Sequence, residues 1–232
     1  VLQTNAPLAQ NGIVLNFTPC YAASSSQADI DATKYADDYF NQWYAKPLFD
    51  KCYPDIVNSL PVDCQPDIHE GDMDIIAQPL DFMGINFYTR AIYKAHEEEI
   101  FEQLPAPAPI TDIGWEIYPQ AFTDLLTSLS RLYSLPPLYI TENGAAMADE
   151  IDSGEVKDVD RIEYYQAHLN AVHNAIEQGV DVQGYFAWSL MDNFEWAEGY
   201  LKRFGIVYVD YETQIRTIKQ SGLAYRDLIQ SR

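Results

Sequence analysis

The sequence predicts an α/β fold built around a parallel sheet, and three observations carry that prediction. Four short runs are almost continuously apolar and rich in β-branched and aromatic residues, as strands covered on both faces are. Amphipathic helical patterns separate these runs, and strands alternating with helices are the signature of βα units. The 232 residues are 47% hydrophobic and 13% aromatic, enough for a sizeable core, which excludes disorder for most of the chain.

The first strand falls at residues 13–16. Ser26 and Asp29 then form a capping-box pattern, and Ala32, Tyr35, Ala36, Tyr39, Phe40 and Trp43 share one stripe of the helix that follows. A second strand is predicted at residues 82–88. Residues 95–113, which include Pro105, Pro107 and Pro109, read as a surface loop within one domain. Pro119 suits a first helical turn, and Phe122, Leu125, Leu126 and Leu129 share a face of the helix it starts. The third strand is placed at residues 138–141. Asp160 is the expected cap of a helix carrying Ile162, Tyr165, Leu169, Val172 and Ile176, with Gly179 at its end. A fourth strand is expected at residues 184–190 and a last helix at 217–229. The pattern contains no internal repeat and does not give the order of the strands.

Composition removes several functions. Fourteen Lys plus Arg stand against 35 Asp plus Glu, a net charge of −21, so there is no basic footprint for nucleic acid or an anionic membrane surface. No run of about 18 apolar residues offers a membrane span. Cys20, Cys52 and Cys64 are odd in number and match no C-x-x-C spacing, so they read as reduced thiols rather than disulfides or a zinc site. The opening Val1-Leu2-Gln3-Thr4-Asn5 reads as internal to something longer and carries no targeting information, and the cytoplasm is the expected compartment. The acidic run from Asp149 to Asp160 fails the EF-hand pattern, because Ile151 occupies the third ligand position. No metal or cofactor is implied.

Chemistry concentrates at the predicted strand ends. Thr141-Glu142-Asn143-Gly144 puts a carboxylate at the C-terminal end of a buried strand, the edge where parallel α/β sheets bind ligands. A solvated loop glutamate would occupy the same position, but a second segment argues against it. Trp188-Ser189-Leu190-Met191-Asp192-Asn193-Phe194-Glu195-Trp196 ends another strand with two indoles and, between them, the carboxylate of Glu195. Indole faces stack on the C–H faces of a sugar and carboxylates accept bonds from its hydroxyls. A third segment, Gly84 to Arg90, adds Asn86 and Tyr88 at the end of a third strand.

Together these segments resemble glycoside hydrolase family one, the retaining β-glucosidases and β-galactosidases. The resemblance covers nearly the whole chain. It implies a single partial domain, residues 1–232, forming the C-terminal half of a TIM (β/α)₈ barrel with about four βα units, from the fifth strand to the last helix. It implies that Glu142 is the catalytic nucleophile and that Tyr88 orients it. Glu195 would then bind the sugar's 4- and 6-hydroxyls, Trp196 would donate to a ring hydroxyl, and Trp188 would form the stacking floor. Asn86 and Phe204 would line the pocket. The implied substrate is a β-glucoside or β-galactoside. Related 6-phospho-β-glycosidases carry serine at the position of Glu195 and tyrosine at that of Phe204, with a lysine as at Lys202. Only the lysine agrees here, and Glu195 would repel a phosphate. The family's acid/base glutamate lies in an Asn-Glu-Pro segment, which this chain lacks. The expectation is therefore a nucleophile-bearing half that pairs with an N-terminal half or self-associates through its open edges. A non-catalytic carbohydrate-binding module derived from such an enzyme is the alternative.

Overall fold

The computed structural model describes residues 2–6 and 8–231. In chain order its regular elements begin with α1 (Leu2–Asn5), β1 (Gly12–Phe17), β2 (Cys20–Ala22), α2 (Gln27–Asp37), a π-helical segment (Asp38–Gln42), α3 (Trp43–Phe49) and α4 (Asp72–Ile76). They continue with β3 (Phe82–Phe87), β4 (Ala91–Ala95), β5 (Phe101–Gln103), α5 (Gln120–Leu132), β6 (Leu138–Asn143), α6 (Val159–Glu177) and β7 (Val182–Ala187). The last elements are β8 (Val207–Val209), β9 (Arg216–Ile218) and α7 (Gln220–Gln230).

The four predicted strands pair in parallel in the order β1-β3-β6-β7. Each strand therefore neighbours the next along the chain, and all four carboxyl ends lie on one edge. Met83, Ile85, Phe87, Leu138 and Ile140 turn to one face and pack under Phe122, Leu126 and Leu129 of α5 and Ala171, Val172 and Ala175 of α6. Phe87 and Phe122 stack with ring centres 4.3 Å apart. Burying such side chains contributes roughly 1.5–3 kcal/mol each, so this face fixes the sheet. The opposite face is open: Val14 and Phe186 are 46% and 57% exposed. Among the described residues β1 and β7 each have a strand partner on one side only.

The structure corrects several expectations. The stripe from Ala32 to Trp43 holds only as far as Ala36. The chain then enters the π-helical segment, whose wider turn brings Asp38, Asn41 and Gln42 inside and leaves Tyr39 and Phe40 outside. Asn41 uses that position to brace the loop after β1, accepting from Thr18 N at 3.1 Å and donating to Thr18 O at 2.9 Å. The loop at 95–113 contains β5, which pairs antiparallel with β4 and packs Phe101 on Tyr93. Asp158, not Asp160, stands at the start of α6, because its carboxylate is drawn inward by Arg161 and Ser221. The fourth strand ends at Ala187 and the last helix starts at Gln220, Arg216–Ile218 being the hairpin strand β9. Ser26 caps α2 as predicted, accepting from Asp29 N. Among the described residues no helix is long and apolar enough to cross a membrane.

Candidate active site

The carboxyl edge of the sheet is lined up by register. Asn16 of β1 pairs with Asn86 of β3, and Asn86 pairs with Glu142 of β6. The last pairing depends on an irregularity: Ile85 faces Ile140, so Thr141 is one extra residue on β6. Plain alternation would put Glu142 on the helix side with Leu138 and Ile140. The extra residue turns Glu142 to the open side and returns Asn143 to the helix side, where its amide donates to Tyr164 Oη at 3.0 Å.

Above this edge lies a cleft of about 830 Å³, bordered by Asn86, Tyr88, Glu142, Trp188, Glu195 and Trp196 among others. The sequence segments that suggested chemistry are thus brought to one place. Tyr88 Oη donates to Glu142 Oε2 at 2.5 Å. Burial, together with the bond to Glu142 and its charge, pushes the Tyr88 phenol far above the usual tyrosine range, so it keeps its proton and remains a donor. Thr141 Oγ1 donates to Asn86 Oδ1 at 2.7 Å and fixes that carboxamide by its oxygen.

Trp188 follows β7 directly, and its N–H donates to Asn143 O at 2.9 Å. Its carbonyl comes so close to Gly144 that a Cβ there would lie 1.7 Å from the Trp188 oxygen. The glycine after Glu142-Asn143 is required by that approach. Trp188 and Ser189 are joined by a cis peptide bond.

The loop carrying Glu195 and Trp196 is held by buried charge. Asp192 accepts from Lys219 Nζ at 2.8 Å, Arg203 Nη1 at 2.5 Å and the backbone N–H groups of Gly205 and Val209. Lys219 also donates to Asp149, which takes a two-pronged bond from Arg161. Arg161, Lys219 and Arg203 thus face Asp149, Asp158 and Asp192, so the network is electrically balanced. Breaking one such buried pair typically costs about 3–5 kcal/mol. On this base Glu195 is half-buried, while Trp196 is 84% exposed on a 3₁₀ turn (Trp196–Glu198). Burial, then Glu142, then Glu198 raise the Glu195 carboxyl above the usual glutamate range. Among the described residues no group of three His, Cys, Asp or Glu side chains is placed to hold a metal ion.

One expected residue does not reach the cleft. Phe204 is 1% exposed and lies beneath the site, its ring edge-on to Tyr88 at 6.0 Å and tilted against Trp115 at 5.9 Å. Its carbonyl is tied to Ser189 N, which draws it into the interior. Sequence reasoning missed Asn16, Trp115 and Glu198, which border the same cleft. Asn16 sits at a strand end as Asn86 does, and that signal was available. Trp115 belongs to no strand or helix, and only its place after a proline-rich loop marked it.

Successive parallel βα units gather carboxylates and indoles at their carboxyl ends, and the class they define is an α/β protein with its candidate site on the carboxyl edge of a parallel sheet. Comparison with known sequences sharpens the assignment: residues 2–232 match Glycosyl hydrolase family 1, and the chain belongs to that family. A β-glucosidase from Agrobacterium is 43% identical over 229 residues, covering 96% of this chain and 50% of that protein. A bifunctional β-D-glucosidase/β-D-fucosidase from Bifidobacterium breve is 40% identical, covering 94% of this chain and 51% of its own length. Among solved structures, a β-glucosidase from Exiguobacterium antarcticum superposes with a TM-score of 0.95 at 41% identity, over 99% of this chain and 53% of that one. The chain spans about half the length of the relatives it matches.

Proposed function

We propose that this chain is the nucleophile-bearing half of a retaining β-glycosidase of the β-glucosidase type, contributing strands five to eight of a (β/α)₈ barrel. The observation that carries the reading is Glu142, presented at the sheet's carboxyl edge with a phenol on one oxygen at 2.5 Å, in a cleft shared with Glu195 and two tryptophans. Glu142 attacks the anomeric carbon through the oxygen free of Tyr88, and the glycosidic bond breaks as an acid on the missing half protonates the leaving oxygen. Water, deprotonated by the same group, then releases the sugar with its configuration retained. Such an acid/base stands about 5–5.5 Å from the nucleophile. Glu195 binds the 4- and 6-hydroxyls, Trp196 donates to a ring hydroxyl, and Trp188 supports the sugar's apolar face. Asn86 lines the same pocket.

The names of the relatives support β-glucosides as substrates, with β-fucosides as a second class by likeness to the Bifidobacterium enzyme. The free thiols Cys20, Cys52 and Cys64 suit a reducing compartment and support a cytoplasmic enzyme. The open edges at β1 and β7, with exposed Val14 and Phe186 beside them, support pairing with an N-terminal half. The test is hydrolysis of a β-glucoside by the protein of the full reading frame, with the sugar's anomer followed by NMR. β-Glucose as the first-formed product, lost with Glu142→Gln, supports the reading. Sugar binding without turnover would establish the non-catalytic module instead.

A further inference from the structure

Tyr88 lies one residue beyond the end of β3, and its carbonyl accepts from Tyr164 Oη at 3.3 Å. Its ring packs against Phe204 at 6.0 Å and against Trp115 with centres 5.2 Å apart, and Trp115 stands on a loop outside regular structure. Backbone bonds close that loop on itself, Thr111 N donating to Trp115 O at 2.8 Å, and an ion pair joins it to the end of β3. Arg90, two residues after Tyr88, grips Glu116, next to Trp115, through Nε to Oε2 at 2.8 Å and Nη2 to Oε1 at 2.9 Å. Both side chains are largely buried, 14% and 6% exposed. The guanidinium lies 3.5 Å over the Tyr118 ring and 4.7 Å from the Tyr21 ring. Between the two anchors, Thr89 Oγ1 donates to Glu116 O at 3.0 Å, joining the same segments a second time. Behind the loop, Ile117 N donates to Pro109 O and Trp115 N to Thr111 Oγ1.

We propose that Arg90 and Glu116 are a positioning pair for the reaction: they clamp the Trp115 loop onto the end of β3, so that the Tyr88 ring is wedged and its hydroxyl stays on Glu142. The proposal rests on the reading of Glu142 as nucleophile and Tyr88 as its orienting group. Glu116 does not border the cleft, and Arg90 stands in its wall with Nε and Nη2 engaged by Glu116, so both act through Tyr88. A planar, two-pronged guanidinium stacked on an aromatic face is the one cation that supplies both contacts, and a lysine ammonium supplies neither the fork nor the flat stacking.

The experiment is a double-mutant cycle on the full-length enzyme, combining Glu116→Gln or Arg90→Lys with Tyr88→Phe, and reading kcat and KM separately. A charge-assisted bond of this kind implies a fall in kcat of roughly tenfold or more for either single change, with KM altered by less than about twofold. In the Tyr88→Phe background the same changes should cost less than about twofold, because the bond they protect is already gone. Equal losses in both backgrounds, or a change confined to KM, would overturn the positioning role. If Glu116→Gln fails to fold, Arg90→Lys is read in its place, with melting temperature as the control. A Tyr88→Phe enzyme of full activity would instead overturn the reading of the nucleophile site itself, which keeps the two failures apart.

Discussion

Replacing Tyr88 with phenylalanine removes one oxygen from the protein and tests how Glu142, the proposed nucleophile, is held. The ring contacts that place the residue, with Trp115 at 5.2 Å and Phe204 at 6.0 Å, need no hydroxyl, so the fold should survive. What disappears is the 2.5 Å bond to Glu142. A hydrogen bond to a charged group contributes about 1.5–3 kcal/mol net. That value is the ceiling, because the bond also stabilises the fully charged carboxylate of the free enzyme, and only the part kept in the transition state counts. At about 1.4 kcal/mol per tenfold, kcat/KM for a nitrophenyl β-glucoside should fall about 10-fold, and by no more than about 150-fold. The alkaline limb of the pH profile should not move, because burial and Glu142 keep the phenol protonated far beyond any working pH. The assay is steady-state kinetics of the full-length enzyme from pH 5 to 9, alongside its melting temperature. A fall of less than threefold with an intact fold would refute the idea that this phenol holds the nucleophile.

Four further outcomes follow from other parts of the molecule. His168 is buried, and burial lowers its pKa from 6.5 to about 4. The unfolded chain takes up a proton below pH 6.5 that the folded chain refuses until about pH 4, so stability falls across that window as the solution is acidified. The loss by pH 4.5 should be roughly 2–3 kcal/mol, and His168→Leu should remove that share of the pH dependence in denaturant unfolding. At the cleft, Glu198→Gln removes one of the charges that raise the Glu195 carboxyl, so the acid-side loss of glucoside affinity should shift to lower pH; an unmoved limb would separate Glu195 from that step. Glu195→Ser should lower kcat/KM for glucosides much more than for 6-phosphoglucosides. The isolated chain, with β1 and β7 open, should dimerise or aggregate and show no glucosidase turnover; a monomer by light scattering that hydrolyses substrate would contradict the half-barrel.

How much of this was readable beforehand depends on where local pattern and tertiary packing agree. The four strands and the face of α5 were legible because a parallel sheet under helices demands unbroken apolar runs, and Phe122, Leu125, Leu126 and Leu129 are all buried as their spacing implied. The end of the fourth strand was not, since Trp188 to Met191 is as apolar as the strand itself. Those residues are pinned instead by other partners, Ser189 N to Phe204 O and Val207 N to Leu190 O. A helical stripe extrapolated through Phe40 could not anticipate the π-helical segment, although Asp38, Asn41 and Gln42 were the polar residues it turned inward. At the site, Glu142, Tyr88, Trp188, Glu195, Trp196 and Asn86 could be named from strand ends and motifs. The extra residue at Thr141 that aims Glu142 could not, because it exists only in the register between two strands. Phe204 shared a motif with pocket residues but faces inward, which only packing decides.

The central claim is that Glu142 forms the covalent bond to the sugar. A 2-deoxy-2-fluoro-β-glucoside with a good leaving group slows release of the glycosyl-enzyme more than its formation, and the adduct can be found by mass spectrometry of peptides from the full-length enzyme. One label per active site on the peptide carrying Thr141-Glu142-Asn143-Gly144, absent from Glu142→Gln, is the predicted result. A label on Glu195, or on no residue of this chain in an enzyme that the reagent inactivates, would contradict it.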